Sequence, residues 1–252
     1  MPTSLVQQQF GANAEKYVRS EVHASGHSLT RMVALAEPQA HWLALDVAPG
    51  GGHSAIAIAK QVTRVVAVDV TYRILIAART NGEGQGLDNL VWTQGDGGVL
   101  PLPDETFDLV TCRVALHHFP DQAGAIGEWA RVLKPAGRLV LVDNIGPDNI
   151  GANQTINTFE RIRDPSHGSL HPLQTLVDFV QQAGLMVEYS ERLTKPMAFH
   201  PWMERMQVSP DDQRLLTHML WDGPARALLS PQGDGAGTTF NLYEGLILAH
   251  KP

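Results

Sequence analysis

The sequence predicts an α/β protein built on a parallel, doubly wound sheet. Three observations carry this. Short apolar runs of strand length recur at Leu43–Val47, Arg64–Asp69, Leu90–Thr93, Phe107–Cys112 and Arg138–Asp143. Helical stretches at Ser54–Gln61, Tyr72–Thr80 and Asp121–Leu133 separate most of them. The run RLVLV, residues 138–142, is almost wholly apolar, as expected of a strand covered on both faces. Strands that alternate with helices pair in parallel, because each crossover helix returns the chain to the same edge of the sheet.

Taken in order, residues 9–36 read as one or two helices broken near Gly26. The five strand and helix units follow. Beyond Asp143 the alternation loosens. Ile145–Pro172 is rich in Asn, Asp, Gly and Pro and reads as a loop carrying one helix, Gln154–Arg163. Leu173–Ala183 reads as a helix and Leu185–Leu193 as a strand. Ser209-Pro210-Asp211-Asp212 is a helix start, with Ser as cap, Pro in the first turn and acids at the positive end of the dipole; that helix runs to about His218. Gly233, Gly235 and Gly237 mark a turn, and Thr238–Ala249 reads as a last strand. The expected organisation is a single domain over residues 1–252: a helical lid at about 9–36, a ligand-binding core at about 42–145, and substrate-side segments with the last strands at about 146–252. Residues 9–30, 151–171 and 195–232 interrupt the alternation and are expected to cover the active edge.

Composition narrows the function. The chain has 252 residues, 43% of them hydrophobic, and a formal net charge of −7 with no basic run, which argues against a nucleic-acid partner. The single cysteine, Cys112, excludes an internal disulfide and suits a reducing compartment. No stretch reaches the ~18 apolar residues of a membrane span, and residues 1–17 do not read as a signal peptide. The expectation is a cytoplasmic monomer or homodimer with a small-molecule partner, no membrane insertion and no metal.

The chemistry concentrates where strands end, since ligands of doubly wound sheets sit outside the carboxyl ends of the strands. The first strand runs into APGGG, residues 48–52. This turn has two readings. As G-x-G-x-x-A (Gly50, Gly52, Ala55), with Asp69 19 residues after Gly50, it fits a dinucleotide fingerprint. As x-x-G-x-G (Ala48, Gly50, Gly52) it fits the first motif of S-adenosyl-L-methionine (SAM) methyltransferases. Asp69 ends the second strand, placed to accept ribose hydroxyls. Asp96 follows the third, placed to accept an adenine amino group, with Gly97 beside it. Asp46 ends the first strand and can hold the turn or a cofactor ammonium.

LALDVAPGGGHSA, VVAVDVTYRILIAA, LVWTQGDGGVLPLPDETFDLVTCRVALHHFPD and ARVLKPAGRLVLVD together resemble successive motifs of the class I SAM-dependent methyltransferases. The resemblance is closest to the ubiquinone/menaquinone-biosynthesis C-methyltransferase group and is tight over residues 42–145. It implies a Rossmann-like, seven-stranded sheet of order 3-2-1-4-5-7-6 with the last strand antiparallel. It also implies SAM as cofactor and methyl transfer to a carbon, oxygen or nitrogen of a small molecule. The cofactor residues it implies are Tyr17, Asp46, Ala48, Gly50, Gly52, Asp69, Val70, Asp96, Gly97 and Arg113. One departure is Ala48, where the motif has glycine, followed by the stiff Pro49. A non-catalytic SAM-binding protein of the same fold and a nicotinamide-dependent oxidoreductase are the alternatives.

His118 and, second to it, His117 follow the fourth strand and are the candidate catalytic bases, since histidine titrates near neutrality. The bland reading of both is loop capping. Arg161 and His167 lie in the polar segment after the fifth strand and are substrate-side candidates, against an exposed helix and a capped turn. Trp202, near His200 and Met203, can line an aromatic pocket or simply pack. Tyr17, Ser20 and His23 recur at helical spacing and can form a lid face.

Overall fold

Leu43–Val47 (β1) lies at the centre of a seven-stranded sheet of order β3-β2-β1-β4-β5-β7-β6. The computed structural model describes residues 4–18, 24 and 26–252, apart from the side chains of Lys16 and Tyr17. Around β1 the neighbours are β2 (Arg64–Asp69), β3 (Leu90–Gln94), β4 (Phe107–Arg113) and β5 (Leu133–Asn144), all parallel. β7 (Thr239–His250) runs antiparallel to β5 and to the edge strand β6 (Met186–Ala198). This is the order and the antiparallel last strand that the family resemblance implied.

The chain begins with α1 (Leu5–Val18) and α2 (His27–Ala36), with Gly26 as the cap of α2. α3 (His53–Ala59) follows β1, and α4 (Tyr72–Gly84) follows β2. α5 (Gln122–Val132) starts at Asp121, whose carboxylate accepts the Gly124 N–H at 2.8 Å. α6 (Ile150–Arg163) starts at Asn149, which accepts from the Ala152 N–H. α7 (Leu173–Gln182) leads into β6. Between β6 and β7 lie α8 (Phe199–Arg205), α9 (Pro210–Trp221) and α10 (Arg226–Leu229). Ser209 caps α9 as the sequence predicts, but the helix continues three residues past His218.

Two differences from the sequence reading have clear causes. β5 begins at Leu133 rather than Arg138, because Leu133 pairs with Phe107 ahead of an irregularity in the ladder. β6 runs on to Ala198 rather than stopping at Leu193. Its outer half, polar on its face, is held by pairing to β7 as far as Ala198 against Thr239. Edge strands need apolar patterning on one face only.

Apolar side chains cover both faces of the sheet. Leu45, Trp129, Leu139 and Ile247 belong to the layer under α5 and α7, and Met32, Ile58, Val65 and Val140 to the layer under α2 and α3. A third cluster lies apart from these, among α6, α8, α9 and α10. Its centre is a set of rings: Phe159 stacks on Trp202 at 5.1 Å, and Phe240 meets Trp202 edge-on at 5.1 Å.

The departure at residue 48 has a backbone consequence. Ala48 sits at φ +51°, in the left-handed region. That region costs an L-residue roughly 1–2 kcal/mol, part of which glycine returns through its greater freedom in the unfolded chain. Ala48→Gly is therefore expected to raise stability by about 0.5–1 kcal/mol, read as a higher urea midpoint at unchanged slope.

Candidate active site

The carboxyl ends of β1 to β4 open onto a cavity of about 680 Å³. Its floor is the turn Ala48–Gly51 with Asp69, Val70, Asp96 and Gly97; its far wall is Arg113, Val114 and His118. Gln7 and Phe10 of α1 close the remaining side, and the Gln7 side-chain amide donates to the Val70 carbonyl at 2.9 Å.

Asp69 is buried at the end of β2. One carboxylate oxygen accepts the Thr71 N–H at 2.8 Å. Burial pushes its pKa up to about 6, against the lowering influence of the Thr71 and Gly50 backbone N–H groups. Asp46 is also held at about 6 by burial. Its oxygens accept the hydroxyls of Ser54 at 2.8 Å and Thr111 at 2.7 Å, so it ties β1, α3 and β4 together beneath the turn and does not line the cavity. Arg113, whose own pKa is lowered by burial, lies near Asp46 and Glu244. Asp96 is exposed at the rim, and its Oδ1 accepts the Gly98 N–H at 2.8 Å.

Two glycines act through packing. Gly52, at φ +84°, lies outside the cavity; a Cβ there would stand 3.0 Å from Trp92 Cη2 and 3.1 Å from Ala78 Cβ. A Cβ on Gly97 would approach Val47 Cγ1 to 2.5 Å, and the Gly97 carbonyl accepts from Trp129 Nε1 at 2.8 Å. The third-strand loop is thus pressed onto the core, which fixes where Asp96 stands. The predicted site residue Tyr17 lies outside the described residues as far as its side chain is concerned, as do Ser20 and His23 altogether.

A second, smaller cavity of about 40 Å³ adjoins the first, sharing Phe10, Val114 and His118 with it. His117, Asn144, Glu160, Arg163, Lys195 and Trp202 are among its lining. His117 Nδ1 lies 2.6 Å from Asp143 Oδ1, and the His117 N–H donates to Asp143 Oδ2 at 2.6 Å. Burial alone would lower the His117 pKa, but the charge and hydrogen bond of Asp143 raise it overall. His118 goes the other way: burial and the neighbouring His117, 4.2 Å between ring centres, bring it down to about 4. His118 Nδ1 donates to the Ser166 carbonyl at 3.1 Å, which leaves Nε2 as a neutral acceptor.

The substrate-side candidates separate. Trp202 lines the small cavity while lying within the ring cluster, with the Arg163 guanidinium 4.9 Å above its indole. His167 is buried and donates from Nε2 to Asn157 Oδ1 at 2.9 Å; it lines neither cavity. Arg161 is exposed and lines neither. Sequence reasoning passed over Val114, Asp143, Glu160 and Lys195. Val114 is a β-branched residue at φ +57°, and such strain is characteristic of functional sites.

Comparison with known proteins fits this geometry. The family described as "Methyltransferase domain" matches residues 45–141. The "uncharacterized methyltransferase YcgJ" of Bacillus subtilis is 35% identical over 214 residues, 83% of each chain. The chain belongs to the methyltransferase family. The ubiquinone/menaquinone biosynthesis C-methyltransferase UbiE of Dinoroseobacter shibae is 34% identical over 146 residues, 55% of this methyltransferase and 58% of the relative. The crystal structure of a Bacillus halodurans protein superposes with a TM-score of 0.85 at 34% identity, covering 90% of this chain and 100% of that one. This methyltransferase uses SAM, and the dinucleotide reading of its glycine turn falls away. The residues present fit that cofactor: a buried carboxylate with remaining acceptor capacity at the end of β2, an acid at the rim beyond β3, and an open turn between them. Among the described residues no helix is long and apolar enough to cross a membrane.

The raised pKa of Asp69 gives a pH signature. If Asp69 meets a ligand hydroxyl as an ionised carboxylate, binding displaces a proton when the pH lies below about 6. Affinity for S-adenosylhomocysteine (SAH) is expected to be flat above pH 7 and to fall roughly tenfold by pH 5. Calorimetric titration across that range checks it, and Asp69→Asn should bind more weakly with most of the slope gone.

Proposed function

We propose that this enzyme methylates a small molecule whose reacting end enters the smaller cavity while SAM occupies the larger one. The observation that carries this reading is the shared wall: Phe10, Val114 and His118 face both spaces, so two ligands would meet there. SAM supplies an already activated methyl group, and the protein's task is alignment and exclusion of water.

Asp69 and Asp96 would bind the nucleoside, and Asp46 would hold the turn in register. Gly50 would leave the turn open toward the ligand, and the Val70 backbone would flank it. His118, neutral at physiological pH, would orient the acceptor through Nε2. His117, whose pKa the neighbouring Asp143 raises, is the better placed of the two rings to take a proton at Nε2 if the acceptor must lose one. This pairing shifts the base role from His118, the first choice from the sequence, toward His117, while His118 keeps the contact with both ligands.

The test is SAH formation from SAM across a panel of carbon, oxygen and nitrogen acceptors. SAH above the acceptor-free background is the expected result, with His118→Ala slowing single-turnover transfer while SAH affinity holds. Tight SAH binding with no turnover across the panel would instead indicate a binding protein of methyltransferase fold.

A further inference from the structure

Glu160 is buried on α6, lines the smaller cavity, and its Oε1 has no hydrogen-bond partner among the described residues. Its other oxygen, Oε2, stands 4.0 Å from Arg163 Nη1, at the limit of an ion pair. A buried carboxylate oxygen left bare is costly, so a donor is expected to meet it. Three neighbouring polar groups are engaged elsewhere. Arg163 Nε donates to the Trp202 carbonyl at 3.2 Å. Lys195 pairs with Glu244 at 2.7 Å. Asp164 accepts from the Ser166 N–H and hydroxyl. None of these is placed to donate to Glu160 Oε1.

We propose that Glu160 is a specificity residue that receives a hydroxyl or amino hydrogen of a neutral acceptor in the smaller cavity. The proposal rests on the reading that this cavity takes the acceptor, and it adds the acceptor's chemistry. The charges around the cavity favour a neutral acceptor over an ion. Arg163, Lys195 and Arg205 line it together with Glu160 and Asp164, and Lys195 is paired with Glu244, so the surroundings hold no clear excess of either sign to draw an ion. An anionic acceptor placed against Glu160 Oε1 meets a like charge. A neutral group with a hydrogen to give satisfies the bare oxygen and disturbs neither. The space, about 40 Å³, admits only a few non-hydrogen atoms, since one water needs roughly 10–15 Å³ on this measure. The recognised part is therefore the small polar end of the acceptor.

The experiment uses the full chain loaded with SAH and three probes of one shape: phenol, aniline and toluene. Ligand-observed NMR at pH 8 measures their binding. Phenol and aniline are expected to bind roughly tenfold more tightly than toluene, against their lower hydrophobicity, because only they can donate to the carboxylate. Glu160→Leu should erase that ratio, and Glu160→Gln, which keeps the shape and a weaker acceptor, should reduce it. SAH affinity should be unchanged in both variants, and if the leucine variant fails to fold the glutamine variant carries the comparison. Equal binding of toluene, a ratio that survives substitution, or no binding of any probe overturns the proposal while the methyltransferase reading stands. Failure of the unaltered protein to bind SAH would remove that reading first, and this proposal with it.

Discussion

Asp69→Ala is expected to weaken SAH binding roughly 10–150-fold, the loss of one hydrogen bond to a charged group worth ~1.5–3 kcal/mol. The carboxylate already accepts the Thr71 N–H, so its placement is set before any ligand arrives, and the ligand need not order it. Removing it also takes away a buried group whose ionisation burdens the free fold, so the variant's stability without ligand should not fall in step with its affinity. Asp96→Ala is the comparison. It sits at the exposed rim, where water competes, and its loss should cost less. Calorimetry with SAH separates the two; an Asp69 variant that binds as the unaltered protein does would refute the assignment of this acid to the nucleoside.

Trp202→Ala is the second large effect, on stability rather than binding. Trp202 is almost wholly buried, stacked on Phe159 and set edge-on to Phe240. Truncating a buried tryptophan typically costs about 3–5 kcal/mol, from lost transfer energy and the cavity left behind. The rings it touches come from α6, α8 and β7, so the loss should loosen the helices outside the sheet before the sheet itself. Urea unfolding followed by fluorescence should show the drop, and Trp202→Phe should recover part of it. SAH affinity should change little, since Trp202 does not line the larger cavity. An alanine variant of undiminished stability would mean that the ring cluster does not hold these helices together.

The sheet was legible because its signals are local and repeated. β1 and β2 begin and end at the predicted residues, since each is a short apolar run closed by an acid or a turn. The motif residues of the larger cavity were legible for the same reason: Asp69, Asp96 and the glycine turn follow strands directly. Asp143 closes the run Arg138–Asp143 read from the sequence, and the rule that selected Asp69 could have selected it. Glu160 was missed in favour of Arg161 through helix phase. Ile156, Asn157, Phe159 and Glu160 form the inward stripe of α6, and Arg161 falls one position off it, toward solvent. The apolar pair Ile156 and Phe159 carried that information. His167 looked like a ligand by residue type, yet Asn157 one helix away satisfies it, a tertiary contact that spacing does not encode. Val114 carried no signal at all: a valine in the left-handed region is fixed by its surroundings, here including the bond from its N–H to the Val142 carbonyl at 2.7 Å.

Phe10 has an effect that reaches beyond packing. It belongs to α1, lies 5.0 Å from the His118 ring, and forms part of both cavities. The same helix is fastened across the larger cavity by the Gln7 to Val70 bond. If the two cavities hold donor and acceptor as proposed, the two ligands share one wall, α1. Bound SAH would then stand in the way of the incoming acceptor as well as of fresh SAM, and it should inhibit against both.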